Sequence, residues 1–128
     1  MNYKYTSNLP SEADLFELYE SLGWNDFLNL PPKRLLQAMK QSIYAVYVYS
    51  DDKLIGTGRI ISDGYINAYV CGLGVLPDYR NQGIGADIMK TLKGFCIKQN
   101  LHMQFICEDK LVSYYARLGF KQFAVGMR

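Results

Sequence analysis

The stretch Val75-Leu76-Pro77-Asp78-Tyr79-Arg80-Asn81-Gln82-Gly83-Ile84-Gly85-Ala86 constrains this chain more than any other. A β-rich run enters it and a long amphipathic helix leaves it, so its middle must be a strand-to-helix turn. Gly83 and Gly85 lack a Cβ, which frees the backbone and lets a ligand approach closely. The helix beginning there directs unpaired N–H groups and the positive end of its dipole outward. Strand, glycine turn and helix start together make an anion site, most often one for phosphate. Arg80 adds a fixed positive charge suited to phosphate oxygens.

Two common phosphate binders do not fit this context. A dinucleotide-binding unit needs its glycines at the first βα turn and an acidic residue about 20 residues later. Here the turn follows several antiparallel strands, midway along the chain. A P-loop needs Gly-Lys-Ser/Thr, and none follows. At 128 residues, one domain spanning 1–128 is expected, large enough for a real core. A net charge of +2 with scattered Lys and Arg argues against a nucleic-acid partner. No apolar run approaches the roughly 20 residues that span a bilayer. The start, Met1-Asn2-Tyr3-Lys4-Tyr5, has no apolar signal core, so a cytoplasmic location is expected. Cys71, Cys96 and Cys107 lie outside any CxxC spacing and read as reduced interior thiols, with no metal site.

Residues 2–7 alternate as a first strand, with Tyr3 and Tyr5 on one side. Ser11 then caps a helix whose Leu15, Leu18, Tyr19 and Leu22 share a face, and Gly23 ends it. Trp24-Asn25-Asp26-Phe27 follows as a loop; its aromatics either plug the helix end or wall a small-molecule pocket. Pro31-Pro32 opens a second helix. Strands at 43–50 and 53–61 come next, joined at Asp51-Asp52. Asp63-Gly64 signals a two-residue hairpin into a strand at 65–75. Gly72 and Gly74 interrupt that strand and mark a bulge, which would open a slot toward the next strand. A helix from Gly83 to about Gln99 buries Ile84, Ile88, Leu92 and Phe95 and leads to a strand at 101–107, parallel to 65–75. A short helix at 110–118 and a last strand at 120–125 complete a mixed, mostly antiparallel α+β sheet of about six strands, with helices on both faces.

Arg80-Asn81-Gln82-Gly83-Ile84-Gly85 resembles the acetyl-coenzyme A signature of the GNAT N-acetyltransferase superfamily, Arg/Gln-x-x-Gly-x-Gly/Ala. The lead-in Val75-Leu76-Pro77-Asp78-Tyr79 is similar to that family's strand-to-loop passage. Downstream, Tyr114-Tyr115-Ala116-Arg117-Leu118-Gly119-Phe120 resembles its later motif, an aromatic-Tyr pair four residues before Gly-Phe. The order of elements agrees along essentially the whole chain, and the fold implied is the GNAT fold with a splayed central parallel strand pair.

The resemblance implies an acyltransferase that moves an acetyl group from acetyl-coenzyme A to a primary amine by direct attack. It places the coenzyme pyrophosphate on backbone N–H groups of Gln82, Gly83, Ile84, Gly85 and Ala86, with Arg80 and Asn81 beside them. The pantetheine arm would pair with backbone near Leu73 and Val75 in the manner of an added strand. Tyr115 matches the family's general acid, and Tyr114 is expected to face the core. Many relatives carry a basic carboxylate on the strand before the glycine turn, but Asn67, Tyr69 and Cys71 offer none. Glu108, at the end of the next strand, is the candidate base, ahead of Asp63, Glu17 and Glu20.

For the acceptor, Trp24 with Glu20 or Glu17 nearby suits a small amine carrying some apolar surface. Transfer to a protein or peptide amine is the alternative activity, and acetyl-coenzyme A binding without turnover the alternative class. The sheet edge near the C-terminus would suit a homodimer.

Overall fold

The computed structural model describes residues 2–128. Five strands stand in the order β1-β2-β3-β4-β5. They are β1 (Tyr3–Thr6), β2 (Tyr44–Ser50), β3 (Lys53–Ser62), β4 (Asn67–Val75) and β5 (His102–Phe105). The first four pair antiparallel, and β5 joins β4 in parallel across the crossover helix α4 (Ile84–Lys98). Helices α1 (Glu12–Ser21), α2 (Asn25–Leu28) and α3 (Pro32–Gln41) precede β2, and α5 (Val112–Arg117) follows β5.

The two glycines of β3 explain how α4 reaches the sheet. A Cβ on Gly58 would stand 2.7 Å from Ile88 Cγ2, and one on Gly56 would stand 3.6 Å from Ile88 Cδ1. Helix and strand therefore approach more closely than larger residues would permit. Ile84, Ile88, Met89, Leu92 and Cys96 supply the buried stripe of α4, joined by half-buried Phe95, which stacks on Tyr44 at 4.4 Å. The opposite face of the sheet is covered by Leu15, Leu18 and Tyr19 of α1 and Leu35 and Met39 of α3. Among the described residues no helix is long and apolar enough to cross a membrane.

Three expectations are corrected here. Residues 120–125 form no strand, so the sheet has five strands where the sequence suggests six. Instead the segment stands across from β5, and between them lies a cavity of about 630 Å³ lined by Phe105, Cys107, Tyr115, Phe120 and Val125. Secondly, the link from β3 to β4 is a four-residue turn, 63–66, because the Asp63 carboxylate accepts N–H bonds from Tyr65 and Ile66 at 2.9 and 2.8 Å. Thirdly, the expected loop after Gly23 contains the single helical turn α2. Of the three thiols expected in the interior, Cys96 is buried while Cys71 and Cys107 are half-buried; all three are free.

Candidate active site

The glycine turn is shaped by two left-handed residues, Asn81 at φ 63° and Gly83 at φ 83°. Asparagine tolerates that region better than most residues, and glycine enters it without cost from a Cβ. Among the described residues no side chain caps the start of α4; the Asp87 N–H bonds the Gly83 carbonyl at 3.0 Å, which closes the first helical turn. The N–H groups ahead of Asp87 consequently lack intrahelical partners. The space where a Gly83 Cβ would stand is open to 4 Å, and at Gly85 only the Tyr114 hydroxyl comes as near as 3.5 Å. Arg80 folds back so that its Nε donates to the Val75 carbonyl at 2.8 Å, leaving its terminal nitrogens as exposed donors. Strand β1 braces this turn: the Tyr3 hydroxyl bonds Gln82 Oε1, and the Tyr5 hydroxyl donates to Asp87 Oδ2 at 3.1 Å. Burial, then Asp87, pushes the Tyr5 pKa up to about 12, so that hydroxyl stays a donor at neutral pH.

In β4 the register jumps from Thr57↔Gly74 to Arg59↔Cys71, so β4 spends one more residue than β3. That extra residue lies at Gly72-Leu73, and Gly72 takes φ 62°, which a side chain would resist. Pairing of β4 with β5 stops at Val70↔Phe105. From Cys71 to Val75, Leu73 included, the β4 edge that faced β5 has no strand partner. Residues 76–83, with a 3-10 turn at Pro77–Tyr79, join this open edge to the uncapped start of α4.

On the α1 side, the end of α1 aims Trp24 at this bulge. Gly23 at φ 77° turns the chain, with Trp24 N–H to Tyr19 O at 3.1 Å and Gly23 N–H to Glu20 O at 3.0 Å. Those two bonds are the Schellman pattern. Buried Asn25 then clasps Leu30, accepting from its N–H at 2.9 Å and donating to its carbonyl at 3.1 Å. The Trp24 indole lies on Gly74, where a Cβ would come within 2.5 Å of Cη2 and Cζ2, and meets Tyr19 edge-on at 5.1 Å. Phe27 is 77 % exposed and plugs nothing. Glu20 is exposed on α1, and Glu17 belongs to a separate groove with Asp14, Asp51 and Asp52.

Tyr115 is half-buried against Phe105 at 4.8 Å, beside Tyr114 and Phe120. Burial raises its pKa above the ordinary tyrosine value, reinforced by Tyr114 and Cys107. Tyr114 does not face the core as expected; its hydroxyl reaches toward Gly85 at the start of α4. Glu108 lies three residues past the last β4–β5 pair, at the diverging end of the strands. Its side chain is 72 % exposed and pairs with Lys110 at 3.5 Å. Asp63 is committed to backbone N–H groups at the other end of β4, which lowers its pKa and removes it as a base.

Sequence reasoning missed Tyr114, as well as Thr57 and Arg59 on the Trp24 side of the sheet. Thr57 is 1 % exposed, and among the described residues neither its Oγ1 nor Arg59 Nε has a hydrogen-bond partner. A charged residue between Gly58 and Ile60 in an otherwise apolar strand was the available signal for Arg59.

A family profile described as "Acetyltransferase (GNAT) domain" matches residues 17–126. An uncharacterized N-acetyltransferase, ycf52, of Gracilaria tenuistipitata var. liui is 30 % identical over 112 residues, 84 % of this chain and 60 % of that protein. A histone acetyltransferase, TAP1, of Glycine max is 25 % identical over 127 residues, 90 % of this chain and 54 % of that one. This chain thus spans little more than half the length of such relatives. A solved structure from meticillin-resistant Staphylococcus aureus, called a "Probable Acetyltransferase", superposes with a TM-score of 0.83 at 22 % identity, covering 99 % of this chain and 98 % of that one.

Proposed function

The chain belongs to the GNAT acetyltransferase family, and we propose that it moves an acetyl group from acetyl-coenzyme A to the primary amine of a small molecule. The observation that carries this reading is the pair of backbone surfaces joined by residues 76–83: the β4 edge beyond Val70, which has no strand partner, and the uncapped start of α4 beyond Gly83. An acyl donor with an amide-bearing arm and a pyrophosphate at its end matches that order of groups. The Leu73 and Val75 backbone bonds the arm as an added strand would. Residues 82–86 supply N–H groups and the helix dipole to the phosphates, and the terminal nitrogens of Arg80 add charge.

Direct transfer requires three things of the protein. The acceptor nitrogen must lose a proton before it attacks the thioester carbonyl carbon. Glu108 takes that proton through water at the diverging strand ends. A backbone N–H near Leu73 or Val75 stabilises the oxyanion of the tetrahedral adduct. Tyr115 donates its hydroxyl proton to the sulfur as the C–S bond breaks, and solvent reprotonates it. Burial raises the Tyr115 pKa, so the hydroxyl enters each cycle protonated, as a donor must.

Trp24 seated on Gly74 favours a small acceptor, because its ring covers the sheet face next to the bulge. The soybean relative's name favours a protein amine instead. An assay of free thiol release separates them: amino acids, polyamines and amino sugars should turn over and histone-tail peptides should not. Turnover of peptides alone would reverse the assignment. Tyr115→Phe should lower kcat by about 100-fold or more with coenzyme affinity unchanged; an unchanged rate would remove Tyr115 from the mechanism. We further place the protein in the cytosol as a homodimer, which fractionation and light scattering test.

A further inference from the structure

The α1-facing side of β3 and β4 carries polar groups that the transfer mechanism does not use. Thr57 and Arg59 stand in successive rows of the sheet, paired with Gly74 and Cys71 across the bulge. Thr57 Oγ1 and Arg59 Nε are both shut off from solvent without a partner. One terminal nitrogen of Arg59 reaches Ser42 Oγ at 3.3 Å, a long and neutral contact. The described residues hold no carboxylate in ion-pair contact with Arg59; the single ion pair joins Lys110 and Glu108. Leaving a buried donor unpaired costs about 1–3 kcal/mol, and more when it is charged. Two such donors lie side by side in an otherwise well-packed sheet face, where oxygen acceptors would satisfy both.

Their position is specific. A Cβ on Gly72 would stand 3.3 Å from the Tyr19 hydroxyl and 3.6 Å from Arg59 Nε, so both groups lie directly over the first bulge residue. Tyr19 is buried, and Trp24 packs on it from the side of Gly74. The groups that approach this floor are the hydroxyls of Tyr19 and Tyr47 and the Cys71 thiol, all with pKa values raised first by burial. Arg59 opposes that rise in all three, through a hydrogen bond in the case of Tyr19, and none of them is a carboxylate that would pair with its charge. Glu20 lies exposed on the outside of α1.

We propose that Arg59, with Tyr19 and Thr57, binds an oxyanion carried by the acceptor, so that the preferred substrate is a small amine that also bears a carboxylate or phosphate. This rests on the acetyltransferase reading, and refines it by assigning the acceptor's second functional group. Guanidinium geometry suits both oxyanions.

Matched amines test it: β-alanine against propylamine, and ethanolamine phosphate against ethanolamine, each with acetyl-coenzyme A. In the wild type kcat/KM should favour an anionic member by about 10- to 100-fold, the worth of a charge-assisted hydrogen bond. Arg59→Gln should bring the anionic member down to its neutral partner, mainly through KM, while Arg59→Lys should retain part of the preference. The pair with the larger ratio tells carboxylate from phosphate. Equal kcat/KM within both pairs, or an equal loss for both members in Arg59→Gln, would overturn the proposal. Calorimetric titration of the same four amines into wild type and Arg59→Gln without donor reads the site independently of turnover. An anionic preference lost in the variant supports the proposal even if no acetyl transfer occurs, and binding that ignores the anion refutes it.

Discussion

Replacing Gly74 with alanine puts a methyl group 2.5 Å from two carbons of the Trp24 ring and 3.2 Å from Leu22 Cδ1. Ordinary carbon contacts begin near ~3.5 Å, so the ring must retreat by roughly 1 Å. Overpacking of this kind costs about 1–3 kcal/mol where neighbours are fixed. Trp24 is half-buried and can swing outward, forfeiting its edge contact with Tyr19, worth about 0.5–1.5 kcal/mol. The expected loss is therefore about 1–2 kcal/mol, or a fall in melting midpoint of roughly 3–10 °C. Trp24 is the only tryptophan, so its emission reports the displacement directly and should shift to the red in Gly74→Ala. A double-mutant cycle with Trp24→Ala isolates the contact: in that background the alanine should cost roughly 0.5 kcal/mol or less, a coupling of about 1 kcal/mol. Unchanged emission, with the same destabilisation in both backgrounds, would refute the seating of Trp24 on β4.

Other substitutions read the rest of the frame. Gly58→Ala places a Cβ 2.7 Å from Ile88 Cγ2 and 3.2 Å from Leu92 Cδ1, and should lower stability by about 1–3 kcal/mol in urea unfolding. Gly94 sits exposed in α4 with open space around it, so Gly94→Ala should instead raise stability by about 0.5–1 kcal/mol. Burial raises Tyr47 to about 12 from an ordinary value near 10. A raised folded pKa means that the unfolded state releases the proton first, so stability is full below pH 10 and falls as pH rises toward 12. Tyr47→Phe should flatten that alkaline decline in denaturant midpoints measured between these values. For Tyr115 the raised pKa should hold kcat level through neutral pH, with loss only above the ordinary tyrosine range.

The sheet and the glycine turn were legible because local signals and tertiary structure agree there. Gly72 sits at the bulge and Gly83 at the left-handed turn, each where its lack of a side chain is needed. Leu15, Leu18 and Tyr19 share the buried face that helical spacing assigns them. The failures arise where a neighbour decides. Phe120, Phe123 and Val125 have strand-like character, yet a strand needs a partner, and β5 has only four residues and lies across a cavity. Asn25 reads as a loop residue until its amide is seen clasping Leu30 five residues on, which fixes α2 and the direction of Trp24. Tyr114 and Tyr115 differ by one position, and only the docking of α5 sends one hydroxyl to Gly85 and packs the other on Phe105. Arg59 is hidden for the same reason, since the strand's own pattern does not say that Tyr19 and Ser42 cover that face.

Hydrogen exchange with and without coenzyme A is the most direct measurement of the donor site. Binding should slow exchange at the amides of residues 71–75 and 82–86, the free β4 edge and the uncapped start of α4. Coenzyme A bound with both segments exchanging as before, or protection confined to the cavity beside residues 120–127, would contradict the assignment of that site.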